Sequence, residues 1–175
     1  MTSVRSEALP KTGGRRAARA TTGHRPADPD FGRGFTPPAP LRAVPPLPRN
    51  LVGLSIVVVD DDDGSLDYFA VALRACGATV RTAATATDAL ALVRERHPNV
   101  VLSDIAMSGH DGYWLVREIR ALEDEAMSRV PIVAATAFGR EHSRQRALEA
   151  GFSEHLRKPV DPDVLCRTIG KMAGR

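Results

Sequence analysis

Between residues 54 and 173 the hydrophobic pattern switches repeatedly between two periods. Short β-branched runs at 55–59, 79–82, 100–103, 132–135 and 154–156 read as strands. Between them apolar residues recur at helical spacing. Leu66, Phe69, Ala70, Leu73 and Cys76 make one face of a first helix, closed by Gly77, and a second helix over 87–97 stops before Pro98. Residues 112–124 present Leu115, Ile119 and Leu122, and residues 161–173 present Val164, Leu165, Ile169 and Met172. The stretch 139–150 has only Ala147 and Leu148 as anchors, which predicts a loosely held helix. Five strands and five helices in strict alternation predict an α/β fold, a three-layer, doubly wound parallel sheet with helices on both faces and right-handed crossovers. Periodicity by itself leaves the strand order open.

Ligands of open parallel sheets gather beyond the carboxyl ends of the strands. The first strand ends in Asp60-Asp61-Asp62-Asp63, the third runs into Asp104, the fourth into Thr136 and the fifth into Lys158-Pro159. Carboxylates brought together repel one another unless a cation joins them, and an all-oxygen donor set favours Mg²⁺ over zinc. Asp, Thr and Lys around such an ion point to phosphoryl chemistry.

The segments IVVVDDDDGS, VVLSDIAMSGHDGYWLVREIR, PIVAATAFGR and HLRKPVDPDVL occur in this order and resemble the four signature blocks of response-regulator receiver domains. The resemblance covers essentially all of 54–173 and implies a flavodoxin- or CheY-like sheet of order 2-1-3-4-5. It implies that Asp104 is the phosphorylated aspartate and that Asp60, Asp61, Asp104 and the backbone carbonyl of Ala106 hold Mg²⁺. Thr136 corresponds to the switch hydroxyl and Lys158 to the phosphate-contacting lysine, with Pro159 following through a cis bond. Asp61 is preferred to Asp62 because its spacing to Gly77 resembles the family's helix length. The implied phosphodonor is a sensor histidine kinase or histidine phosphotransfer protein, and a downstream effector protein reads the result.

Two positions depart from the common pattern. His155 stands where many members carry an aromatic switch residue, as in receivers resembling those of hybrid kinases, and a strand-end histidine is as good a reading of it. Ser108 replaces a frequent proline, which removes a fixed φ and predicts a looser loop. Ala106 and Phe138 occupy positions that tune hydrolysis and cannot orient water by hydrogen bonding, so a long-lived phosphoryl-aspartate is expected.

Composition changes the picture mainly at the front. Residues 1–50 hold nine of the 13 prolines and nine Lys/Arg against three Asp/Glu, a net of +6. Residues 51–175 hold fifteen against eighteen, a net of −3, so the overall +3 belongs to the front piece. With no sustained apolar period, 1–50 is expected to be disordered, its proline runs a spacer, and 51–175 is expected to be the folded domain. Arg5, Lys11, Arg15, Arg16, Arg19 and Arg25 lack aromatic interleaving, which argues against a nucleic-acid arm. Cys76 and Cys166 lack metal-ligand spacing and read as small core residues rather than a disulfide. No apolar run approaches the ~20 residues of a membrane span, so a cytoplasmic protein is expected. The short tail after the last helix predicts output through protein contact, phosphate relay or residues 1–50 rather than a carboxyl-terminal output domain.

Two other classes use similar groups. A phosphate-independent binding module of receiver shape has no need of all five of Asp60, Asp61, Asp104, Thr136 and Lys158. A phosphoesterase with an aspartyl-phosphate intermediate would need a cap domain or a second acid shortly after Asp104, and neither is evident, so no enzymatic turnover is expected.

Overall fold

The computed structural model describes residues 49–137 and 143–175, which lie within the compact unit Val44–Arg175. Its elements are β1 (Ser55–Val59), α1 (Asp63–Ala75), β2 (Thr79–Ala83), α2 (Ala86–Arg96), β3 (Val100–Ser103), α3 (Gly112–Arg120), α4 (Glu125–Ser128), β4 (Ile132–Thr136), α5 (Arg144–Glu149), β5 (Glu154–Arg157) and α6 (Pro162–Met172). All pairings are parallel and the sheet order is β2-β1-β3-β4-β5, as the family resemblance implies.

Alternation along the strands feeds two separate cores, because successive side chains leave opposite faces. Ile56, Val58, Val100, Leu102, Val133 and Ala135 face α1 and α6, where Leu66, Phe69, Leu73, Leu165 and Ile169 meet them. Val57, Val59, Val101, Ile132 and Ala134 face the other way, onto Leu90, Val93, Leu115 and Ile119 of α2 and α3. The central strands β3 and β4 are buried throughout, whereas β2 and β5 at the sheet edges are partly exposed.

Side-chain capping sets several helix starts. Asp62 accepts from the Ser65 amide, Thr85 from Asp88, Asp111 from Trp114 and Asp161 from Asp163. Gly77, at φ +97, ends the α1 connection in the left-handed region, and a Cβ there would lie 2.7 Å from Val52 Cγ2.

The expected strict alternation needs one correction. The third helix stops at Arg120 rather than at residue 124, and the short α4, capped by Asp124, intervenes before β4. Leu122 is still packed against the core, from the connection rather than from a helix. The helix expected over 139–150 is also shorter: Ser143 is an extended N-cap at ψ 152, so α5 begins at Arg144, and 138–142 lie outside the described residues. Ala147 is its buried side chain, in keeping with sparse anchoring. On α6, Val164 is 42% exposed instead of forming part of the core, and Cys166 takes the inward position.

The expected disordered segment 1–50 falls outside the described residues up to position 48. Asn50 does not belong with it. Its side-chain amide donates to the Cys166 carbonyl at 3.2 Å, so the packed chain begins before residue 51. The cysteines also require a correction: Cys76, capping α1, and Cys166, in α6, are joined by a disulfide rather than standing as separate core residues. Sequence spacing cannot bring residues 90 apart together; the packing of α1 alongside α6, running in the same direction, does.

Candidate functional site

The carboxyl ends of β1 and β3 are neighbours, and the Asp104 amide donates to the Val59 carbonyl at 2.8 Å. That pairing brings the acid run after β1 beside Asp104. One carboxylate oxygen from each of Asp60, Asp61 and Asp104 lies within 4.8 Å of the others. Asp60 and Asp104 are buried and Asp61 is exposed, a pocket that opens on one side.

Each acid of the run has its own assignment. Asp62 is occupied in capping α1, at 2.7 Å from the Ser65 amide, and this bond holds its carboxyl below the usual range. Asp61 instead turns into the cluster, where its Oδ2 accepts from the Ser108 amide at 2.7 Å. The sequence argument preferred Asp61 for its spacing; capping supplies the physical reason. The Ser108 bond also revises the expectation of a looser loop, because a proline at 108 could not donate it.

Lys158 enters from β5. Its ammonium donates to Asp60 Oδ2 at 2.5 Å and to Ser65 Oγ at 3.2 Å, and stands 3.6 Å from Asp104 Oδ2. The peptide between Lys158 and Pro159 is cis. Burial nevertheless pushes the Asp60 carboxyl above its usual value, against the lowering effect of Lys158 and the Asp62 amide. One ammonium does not fully compensate three gathered carboxylates, and an oxygen-liganded divalent cation is the group that suits the remaining deficit.

Asp104 Oδ1 accepts from the Ile105 amide at 2.7 Å, and the Ser103 hydroxyl donates to the Asp104 carbonyl at 2.6 Å. Thr136 is fully buried at the end of β4, and its carbonyl accepts from the Lys158 amide at 2.9 Å. Ala106 is exposed in the loop two residues beyond Asp104. The fold therefore brings Asp60, Asp61, Asp104, Thr136 and Lys158 to one edge, with Ala106 on the adjoining loop. His155 sits on β5 opposite Ala134, and Phe138 lies outside the described residues.

Two contributors escape a reading of motifs, and a third, Ser108, stands out in the sequence only as a departure from the family pattern. Ser65 receives Lys158, Ser108 holds Asp61, and Gly112 lets α3 approach the acceptor strand. A Cβ at Gly112 would lie 2.4 Å from the Asp104 carbonyl oxygen and 2.9 Å from Ile105 Cα. The only sequence signals were a serine in the first turn after the acid run and a glycine at a helix start. Beside Lys158 a groove of about 420 Å³ is lined by Ser65, Tyr68, Phe69, Pro159 and Val160 among others. Among the described residues no helix is long and apolar enough to cross a membrane.

Comparisons with known proteins agree with this geometry. The family profile described as response regulator receiver domain matches residues 56–170. A 14.6 kDa protein of Leptolyngbya boryana is 39% identical over 69% of this chain and 91% of its own length. The sensor histidine kinase RcsC of Escherichia coli is 35% identical over 70% of this chain but only 12% of its own, so the chain corresponds to one part of that kinase. The receiver domain of the sensor histidine kinase PA1611 from Pseudomonas aeruginosa, solved with magnesium coordinated in its active-site cleft, is 31% identical with a TM-score of 0.65, covering 71% of this chain and all of that one. A buried acidic pocket at the ends of parallel strands, in a sheet of this order, in a chain whose profile match spans most of the described domain, leads to one assignment: the chain belongs to the response regulator receiver domain family, the phosphoacceptor modules of two-component signalling.

Proposed function

We propose that Asp104 accepts a phosphoryl group, with Asp60, Asp61, Asp104 and the Ala106 carbonyl holding Mg²⁺, Lys158 contacting the phosphoryl oxygens and Thr136 acting as the switch hydroxyl. The observation that carries the proposal is the position of Lys158, whose single ammonium reaches both Asp60 and Asp104 in a cluster of three carboxylates.

With Asp104 Oδ1 engaged by the Ile105 amide, Oδ2 is the oxygen available to attack. The O–P bond forms there as the P–N bond of a phosphohistidine donor breaks, and the departing imidazole nitrogen leaves with the bond's electron pair. Bound Mg²⁺ would neutralise charge on the phosphoryl oxygens. Lys158 contributes to the same neutralisation, exchanging its bond to Asp60 for the incoming oxygens. The Ile105 amide and the Ser103–Asp104 bond keep the acceptor in one orientation throughout.

The phosphoryl group adds about −1.5 to −2 charge and new acceptor oxygens. Thr136 is buried where the β4 strand ends, and the segment beyond it leads to the sparsely anchored α5. Drawing the Thr136 hydroxyl toward the phosphoryl group pulls on this connection first, because α5 has the least buried apolar surface to resist it.

The donor in this reading is a sensor histidine kinase or histidine phosphotransfer protein, the reader is an effector protein, and the setting is cytoplasmic. The domain is modified stoichiometrically and does not turn over. In this reading the proline-rich residues 1–48 serve as a spacer. Intact mass of wild type and Asp104→Asn after acetyl phosphate treatment, with and without Mg²⁺, tests the core of the proposal. One phosphoryl group on wild type with Mg²⁺ alone is expected. No gain under any condition would replace it with a phosphate-independent binding module.

A further inference from the structure

Cys76, the C-cap of α1, and Cys166, midway along α6, are both completely buried in the core on the α1 and α6 face of the sheet. A domain with two hydrophobic cores is not one of the small scaffolds that need a crosslink to fold. As thiols the two side chains remain small apolar groups suited to this core, once the sulfurs move apart from bonding distance to van der Waals contact. The same fold thus accommodates both oxidation states, and the difference between them is a tie between two helices.

A short turn is bonded to the backbone of both cysteines. The Leu51 amide donates to the Cys76 carbonyl at 3.1 Å, and the Asn50 side chain donates to the Cys166 carbonyl at 3.2 Å. Leu51 fills the core beside them, and Val52 presses on Gly77. Two hydrogen bonds to the cysteine carbonyls, one within the turn from the Leu54 amide to the Leu51 carbonyl, the buried Leu51 and the Val52 contact hold this turn, so local opening here is a route to the cysteines that leaves the strand ladders paired. At the opposite end of the same helix pair, the Tyr68 hydroxyl donates to the Val160 carbonyl in the connection to α6.

We propose that Cys76 and Cys166 form a reversible thiol–disulfide site that exchanges with low-molecular-weight thiols and disulfides when the Asn50–Gly53 turn opens, and that its oxidation state sets how firmly α1, α6 and this turn are held together. In the oxidising direction one protein thiolate attacks a small disulfide, releasing a small thiol and leaving a mixed disulfide. The second protein thiolate then attacks the protein-side sulfur, forms the Cys76–Cys166 bond and releases a second small thiol. Two protein thiols and one small disulfide become one protein disulfide and two small thiols, so protons and electrons balance.

The full-length folded protein is equilibrated in glutathione buffers running from mostly disulfide to mostly thiol, quenched with acid, and alkylated with N-ethylmaleimide in denaturant. Intact mass is expected to pass from no adduct to an adduct on both cysteines without denaturant in the exchange step. Oxidised protein is expected to melt higher than reduced protein, with Cys76→Ser and Cys166→Ser matching the reduced form. The Leu51 amide is expected to exchange hydrogen faster after reduction. Adducts on both cysteines at every buffer ratio, or none in excess thiol until denaturant is added, would overturn the reversible site. Equal Leu51 exchange in the two states would overturn the coupling to the turn. Because wild type supplies both oxidation states, the result does not depend on the serine variants folding, and none of the readouts uses phosphorylation.

Discussion

Gly112→Ala isolates the contact that seats α3 against the acceptor strand. The added Cβ would meet the Asp104 carbonyl oxygen at 2.4 Å, and contacts under 3.0 Å essentially never occur, so the backbones must separate by at least 3.0 − 2.4 = 0.6 Å. Both clashing groups are backbone, which cannot rotate away as a side chain can. The Gly112 amide bond to the Ile105 carbonyl, 2.9 Å, stretches with the same movement. Overpacking of this kind costs about 1–3 kcal/mol, against a helix-propensity gain of roughly 0.5–1 kcal/mol on replacing glycine. The mid-range difference is a net loss of about 1 kcal/mol, rising to about 2.5 kcal/mol where the two backbones yield least. Urea unfolding at fixed ionic strength reads it, with an unchanged slope indicating an intact fold. Gly64→Ala is the control, since its Cβ would meet only the Asp62 side chain, at 3.3 Å. It should fall within about 0.5 kcal/mol of wild type. Because the shift moves the residue that carries the acceptor carboxylate, Gly112→Ala should also slow labelling by acetyl phosphate. Stability equal to wild type would refute the argument from close approach.

Lys158→Ala removes the cation that the three carboxylates share, so acetyl phosphate labelling should fall on the order of 100-fold while Mg²⁺ affinity, followed by Trp114 fluorescence, rises; unchanged labelling would exclude the lysine from the reaction. Ser108→Pro deletes the amide that holds Asp61, a loss of about 1 kcal/mol that should weaken Mg²⁺ binding roughly fivefold, whereas Ser108→Ala keeps the amide and should bind as wild type. Burial raises the Asp60 pKa above 3.8, so the folded chain holds that proton more tightly than the unfolded one. The resulting stability is present below the unfolded value and lost as pH rises through the folded one. Without Mg²⁺, wild type should therefore lose stability relative to Asp60→Asn across that window, and parallel pH profiles for the two proteins would contradict the assignment.

Much of this molecule is legible in local pattern. Alternation in IVVV and VVL places side chains on both faces of a buried sheet whatever their partners are, because strand geometry has a period of two. Helical spacing identifies the buried faces of α1 and α3 for the same local reason. The acids at the strand ends announce a charged edge, since a parallel sheet leaves nowhere else for them to go. Boundaries were less secure where local preferences compete. The stretch 139–150 reads as one helix, but Ser143 caps a later start, and Asp124 nucleates an extra turn where a longer third helix was expected.

What required the tertiary structure is proximity between residues distant in the chain. Spacing to Gly77 favours Asp61 over Asp62 only through the family resemblance; the physical reason is tertiary, since capping consumes one and the Ser108 amide recruits the other. Gly112 looks like any helix-start glycine until the Asp104 carbonyl is seen 2.4 Å from where its Cβ would stand. The cysteines, 90 residues apart, meet only because α1 and α6 pack on the same face of the sheet. Sequence by itself determined the periods, the fold class and the set of chemical groups, because these follow from each residue's own preferences. Packing decided which of those groups touch, because contact depends on how elements far apart in the chain fill one shared volume.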